Sequence, residues 1–135
     1  MPPYLADTSA WNRSTATSDR WAELLGADQL AICAPIRLEL LYSARSRAEY
    51  TYLRDELAAL PELPLDAHAI ALAERAQSAL AATSQHRGPK VVDLLVAGVA
   101  EASGATLLHY DHHFDAIARV TGQPTEWLAR RGTLD

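Results

Sequence analysis

Two short apolar runs in this chain each end on an aspartate, Tyr4-Leu5-Ala6-Asp7 near the start and Leu107-Leu108-His109-Tyr110-Asp111 near the end. Runs of this length read as buried strands, and helical periodicity fills most of the sequence between them. Strands alternating with helices build a parallel sheet covered by helices on both faces. In an open sheet of this kind ligands bind at the carboxyl ends of the strands. Two more acids, Glu39 and Asp93, sit inside strongly apolar helical stretches, where a charge is costly unless it has a partner. The expectation is an α/β three-layer sandwich with a short central parallel sheet, bringing four carboxylates to one place to hold a divalent cation.

Tyr4 to Ala6 is the first expected strand, followed by the polar turn Asp7-Thr8-Ser9 and a helical start at Ala10-Trp11. Ser18 is the expected N-cap of a helix carrying Trp21, Leu24 and Leu25 at helical spacing. Gln29 to Ala34 reads as a second strand, and Pro35 suits the first turn of the next helix. There Ile36, Leu40 and Ala44 form an apolar stripe with Glu39 beside it. A helix from about Ala48 to Leu60 stops at Pro61, and Leu63 to Leu65 is expected as a short strand. Asp66 caps an alanine-rich helix running towards Thr83, and Ser84 to Pro89 is a polar loop. Val91 to Ala102 is the most apolar helix, ended by Ser103-Gly104. A strand from Thr106 to Tyr110, a helix from Phe114 to Val120 and a strand from Glu126 to Leu128 close the chain. No repeat or linker divides it, so one domain over residues 1–135 is expected.

At 49% hydrophobic and 21% charged residues the composition is that of an ordinary globular protein. The lone Cys33 lies in an apolar run, which excludes an internal disulfide and suggests a buried thiol in a reducing, cytoplasmic setting. No secretory leader and no run of about 18 apolar residues is present, so neither export nor membrane insertion is expected. A net charge of −5 argues at face value against a nucleic-acid partner. Two divalent cations on four carboxylates would bring that charge to about −1. The basic residues are almost all arginine, with Lys90 the only lysine. Arg13, Arg87, Lys90 and the pair Arg130-Arg131 fall in candidate loops or termini, where they could contact phosphate or simply be solvated.

Asp93 falls in the first turn of its helix, where the dipole favours a carboxylate by up to about 1 kcal/mol. Desolvating an isolated charge costs several times more, so Asp93 either points to solvent or faces a cation. Asp7 and Asp111 also fit as plain N-caps. Asp115, four residues after Asp111, shares its helical face if that helix begins by His112. Clustered carboxylates raise one another's pKa unless a cation intervenes, and hard oxygen ligands suit Mg²⁺ or Mn²⁺. Such a site supports in-line attack on a phosphodiester. His109, His112 and His113 point in different directions from a strand-to-helix turn, and no cysteine or second histidine cluster completes a zinc tetrahedron. Ser9 and Cys33 lack the surroundings of a nucleophile, and no phosphate-binding glycine loop is present. Two rival readings remain. One is a phosphotransfer or phosphatase domain with a nucleophilic aspartate, although Ser9 stands where a second acid is usual. The other is a non-catalytic binding module whose acids are caps.

Four motifs in order resemble those of PIN-domain ribonucleases of the VapC toxin type, and the resemblance spans essentially the whole chain. They are Tyr4-Leu5-Ala6-Asp7-Thr8-Ser9-Ala10-Trp11, Ile36-Arg37-Leu38-Glu39-Leu40-Leu41, Val92-Asp93-Leu94-Leu95-Val96-Ala97, and Leu108-His109-Tyr110-Asp111-His112-His113-Phe114-Asp115. The resemblance implies a PIN-like fold and a Mg²⁺- or Mn²⁺-dependent endoribonuclease with ligands Asp7, Glu39, Asp93 and Asp111. Thr8 or Ser9 would orient a ligand or a water. It also implies a homodimer inhibited by a small antitoxin whose inserted segment occupies the acidic groove. Many relatives carry a further acid two residues after the fourth aspartate; here that residue is His113. Either Asp115 compensates or the second metal position is weaker.

Overall fold

A computed structural model describes residues 3–134. Its sheet has four strands in the order β2-β1-β3-β4, every neighbouring pair parallel, with β1 Tyr4–Ala6, β2 Leu30–Ala31, β3 Thr106–His109 and β4 Thr125–Trp127. Among the described residues seven α-helices connect them: α1 Thr8–Trp11, α2 Ser18–Gly26, α3 Ala34–Tyr42, α4 Arg47–Leu57, α5 Ala67–Ala81, α6 Val91–Ser103 and α7 His113–Thr121. The chain steps from β1 to β2 on one side, then crosses β1 to place β3 on the other. That reversal leaves a crevice at the carboxyl ends of β1 and β3, where ligands of open α/β sheets bind.

Period-two alternation makes the layers. Leu5 pairs with Leu107 and points to one face, where α3, α5, α6 and α7 supply Ile36, Leu80, Val96, Ala100 and Ile117. Ala6 and Leu108 point to the other, packing with Ala10 of α1 and Trp21 of α2. Helices therefore cover both faces, as the alternating sequence pattern requires. Within the first layer α6 lies so close to α5 that a Cβ on Gly98 would come within 2.3 Å of the Ala69 carbonyl oxygen. Gly104, at φ 69°, closes α6 in the left-handed cap expected of Ser103-Gly104.

Several local expectations shift. Gln29–Ala34 yields only a two-residue strand, because Ile32 turns its N–H to the Pro61 carbonyl and its carbonyl to the Leu63 N–H. Those bonds make a single bridge between Ile32 and Glu62 where a strand over Leu63–Leu65 is expected; Pro64 has no N–H with which to extend it. Ser18 is not a cap: a 3₁₀ turn, Thr15–Thr17, leads straight into α2, and Ser18 is the first residue of the helix. The helix expected from Ala48 begins one residue earlier, on a Ser46 cap, and ends at Leu57. Asp66 caps α5 as expected, its Oδ1 accepting from the Ala69 N–H at 2.9 Å. No described helix is long and apolar enough to cross a membrane.

Candidate active site

Asp7 leaves β1 in an extended conformation and caps α1, its Oδ2 accepting from the Ser9 N–H at 2.9 Å. Only 4% of it is exposed. Burial pushes its carboxyl from the ordinary 3.8 to about 6; hydrogen bonds from Ser9 oppose that, and the charges of Asp93 and Glu39 add to it. Glu39 reaches the same corner from α3, where its Oε1 accepts from the Thr8 hydroxyl at 2.7 Å. Thr8 thus orients a carboxylate, while Ser9 ties the site to β3 by accepting from the Tyr110 N–H at 2.9 Å. That bond explains why β3 stops at His109 rather than at Tyr110.

Asp93 sits in the first turn of α6, buried, with Oδ2 accepting from the Lys90 N–H at 2.9 Å. Burial raises its carboxyl, and the Asp111 charge raises it further, against the Lys90 N–H, His113 and Lys90. Asp111 follows β3, and its Oδ1 accepts from the His113 N–H at 2.9 Å, with the His113 Nδ1 at 3.3 Å. Each of the three aspartates therefore has one oxygen held by a backbone N–H and, among the described residues, no partner on the other. Fixed carboxylates with a free oxygen apiece are what a hard cation requires.

One ligand atom each from Asp93, Asp111 and His113 lie within 4.8 Å of one another. Two carboxylates and one imidazole fit a divalent ion such as Mn²⁺ or Mg²⁺, and the set lacks the thiolates or second imidazole of a structural zinc site. Asp115 stands apart from this group: its Oδ1 accepts from the Trp127 indole N–H at 3.2 Å. We expect Asp115→Ala to lower stability by about 1 kcal/mol through the lost hydrogen bond while leaving Mn²⁺ affinity within about twofold in calorimetry.

The sequence marks His113 as a departure from a motif and as one of three neighbouring histidines, not as a ligand beside Asp93 and Asp111. His109 is marked there only as part of the fourth motif and as one of the three neighbouring histidines that fail to complete a zinc tetrahedron. It is fully buried against Phe114 and Trp127, burial pulls its pKa down, and its Nδ1 accepts from the Asp111 N–H at 3.2 Å. A neutral imidazole thus fixes the backbone of Asp111. Of the basic residues, Arg87 and Lys90 are exposed on the approach to α6, and Lys90 acts electrostatically on Asp93. Arg13 donates to the Ser9 carbonyl at 3.0 Å and lies over the Tyr110 ring. Cys33 is buried, and its thiol is pushed up to about 12, which leaves no thiolate for catalysis. His68 and His86 are exposed.

The PIN-domain model matches residues 4–120, and the chain belongs to that family. Ribonuclease VapC18 of Mycobacterium tuberculosis is 44% identical over 135 residues, covering 97% of this chain and 98% of the relative. Ribonuclease VapC51 of the same organism is 41% identical over 134 residues, covering 98% and 97%. Within the PIN family this kinship is with the VapC-type ribonucleases. The fold also matches a chain of DNA-bound VapBC from Salmonella typhimurium with a TM-score of 0.78, at 20% identity, over 96% of this chain and all of that one.

Proposed function

We propose that this chain is a single-domain, divalent-metal-dependent endoribonuclease that acts as the toxin of a toxin–antitoxin pair in the cytoplasm. The observation that carries the reading is the convergence of Asp93, Asp111 and His113 at the crevice between β1 and β3, with Asp7 and Glu39 alongside. In this reading Asp7, Glu39, Asp93 and Asp111 hold Mg²⁺ or Mn²⁺, and His113 takes the place of the further acid that many relatives carry. A divalent ion bound there would supply Lewis acidity toward a phosphoryl oxygen and would lower the pKa of a nearby water. Thr8 holds the Glu39 carboxylate in one rotamer, the Ser9 and Lys90 N–H groups do the same for Asp7 and Asp93, and His109 steadies the Asp111 backbone. Arg13, Arg87 and Lys90 offer cations to the RNA backbone.

The choice of His113 has a measurable consequence. An imidazole ranks Mn²⁺ further above Mg²⁺ than a carboxylate does. His113→Asp is therefore expected to narrow the Mn²⁺ over Mg²⁺ preference, read by calorimetric titration with each ion. An unchanged ratio would remove His113 from the ligand set.

An antitoxin is supported by the VapBC identity of the structural neighbours and by a groove of about 530 Å³ that runs from Thr8 and Glu39 along Leu38, Tyr42, Val92 and Leu95. Leu38 and Tyr42 in its wall are 66% and 92% exposed, which is costly apolar surface for an unpartnered chain. The homodimer belongs to the same proposal, and light scattering on the purified protein tests it. The enzymatic reading is tested by mapping RNA ends after induced expression of the wild type and Asp7→Asn. New ends in the wild type alone are expected; identical maps would overturn it.

A further inference from the structure

A second cavity, about 340 Å³, opens beside Asp111, walled by Ser9, Arg13, Tyr110, Asp111, Trp127 and Arg131. Its two cations are carried on aromatic rings. The Arg13 guanidinium lies 4.5 Å from the Tyr110 ring centroid, and that of Arg131 lies 5.6 Å from the centroid of Trp127. Tyr110 and Trp127 themselves pack edge to face at 5.2 Å, so the two arginines flank one aromatic unit. The Leu134 N–H donates to the Tyr110 hydroxyl at 2.8 Å, which folds the last described residues back over this wall.

Neither arginine has a carboxylate partner among the described residues, whereas Arg20 and Arg37 are paired with Glu126 and Glu62. Arg13 commits one N–H to the Ser9 carbonyl, and the rest of its fork stays available. In a chain of net charge −5, two unpaired guanidiniums in one cavity are a local reversal of sign. A guanidinium held flat on a ring loses little further freedom when it binds a phosphate through its fork, and its outer plane can stack on a base. A cavity of this volume accommodates about one nucleotide.

We propose that this cavity is the subsite for the RNA nucleotide adjoining the scissile phosphate, with Arg13 and Arg131 holding its phosphodiester. The inference rests on the ribonuclease reading above. Asp111 lies in the wall of both sites, so a strand whose backbone crosses the acidic cluster passes directly into the arginine-lined cavity.

The test is fluorescence anisotropy with a short labelled single-stranded RNA in EDTA, on an Asp93→Asn background that does not cut the probe. Arg13→Gln and Arg131→Gln are each expected to weaken binding about 5–10-fold and to reduce the slope of log affinity against log salt by about 0.7. Arg75→Gln, an exposed arginine of α5, is expected to change affinity less than about twofold. Melting curves matching the parent exclude misfolding, and Arg131→Gln alone suffices should Arg13→Gln be unstable. In the cleaving background the same variants should raise KM with kcat little changed. Parental affinity in Arg131→Gln, or an equal loss in Arg75→Gln, overturns the subsite. If the wild type cleaves RNA while the arginine variants bind normally, only the subsite fails; if the wild type cleaves no RNA, the ribonuclease reading fails and the subsite with it.

Discussion

Asp7→Asn is expected to abolish RNA cleavage and, in metal-free buffer near neutral pH, to make the fold more stable by about 1–3 kcal/mol. The two effects have one origin. Asp7 is buried, and its carboxyl titrates at about 6 instead of 3.8. Between those two values the native protein keeps a proton that the unfolded chain has released, so stability falls as pH rises and the full penalty is present above about 6. Asparagine keeps the shape, can still accept the Ser9 N–H through its Oδ1, and never ionises. The stability gain of the variant should therefore shrink as pH is lowered and vanish below about 4, as urea unfolding at several pH values would show. A wild type whose stability is flat across that window would mean that Asp7 ionises without penalty. Loss of cleavage by at least about 100-fold in the more stable variant would separate function from folding.

Gly98→Ala is expected to destabilise the protein by about 1–3 kcal/mol, although alanine is ordinarily the better helix former by about 1 kcal/mol. The added Cβ would stand 2.3 Å from the Ala69 carbonyl oxygen and 3.1 Å from the Ala73 nitrogen. Both are backbone atoms of α5, so neither can swing aside and the helices must separate. Gly26, the last residue of α2, has no atom within 4 Å of where its Cβ would be. Gly26→Ala should be neutral or stabilising in the same urea experiment, and equal effects at the two glycines would contradict the packing argument.

Much of the fold and of the candidate site could be read from the sequence because their signals are local. Strand-length apolar runs ending on Asp7 and Asp111 mark the carboxyl ends of β1 and β3. Asp93 stands out because no other charge lies between Val91 and Ala100, and the structure places it buried in the first turn of α6. What the sequence left hidden depends on distant partners. Whether Leu63–Leu65 forms a strand is decided by where Ile32 finds its hydrogen bonds, and β2 is short for the same reason. Asp115 could share a face with Asp111 only if the helix began by His112. It begins at His113, so Asp111 lies outside it and Asp115 turns to Trp127. Cavities lined from both ends of the chain, such as the one between Arg13 and Arg131, leave no periodic trace.

Asp93 offers the most direct test of whether the acidic cluster is a metal-holding site or a set of helix caps. A cap lost at Asp93 would cost about 1 kcal/mol whether or not metal is present. A ligand lost there would leave the metal-free protein as stable as before, or more stable by about 0.5–2 kcal/mol, because a buried negative charge is gone. The measurement is the thermal melting of wild type and Asp93→Asn, each in EDTA and in excess Mn²⁺. At a hundredfold excess over the dissociation constant, binding to the native state alone is worth about 2.7 kcal/mol, or about 8–10 °C for a chain of this size. The expected result is a shift of that order in the wild type and little or none in Asp93→Asn. A variant that melts below the wild type in EDTA and responds to Mn²⁺ just as the wild type does would contradict it.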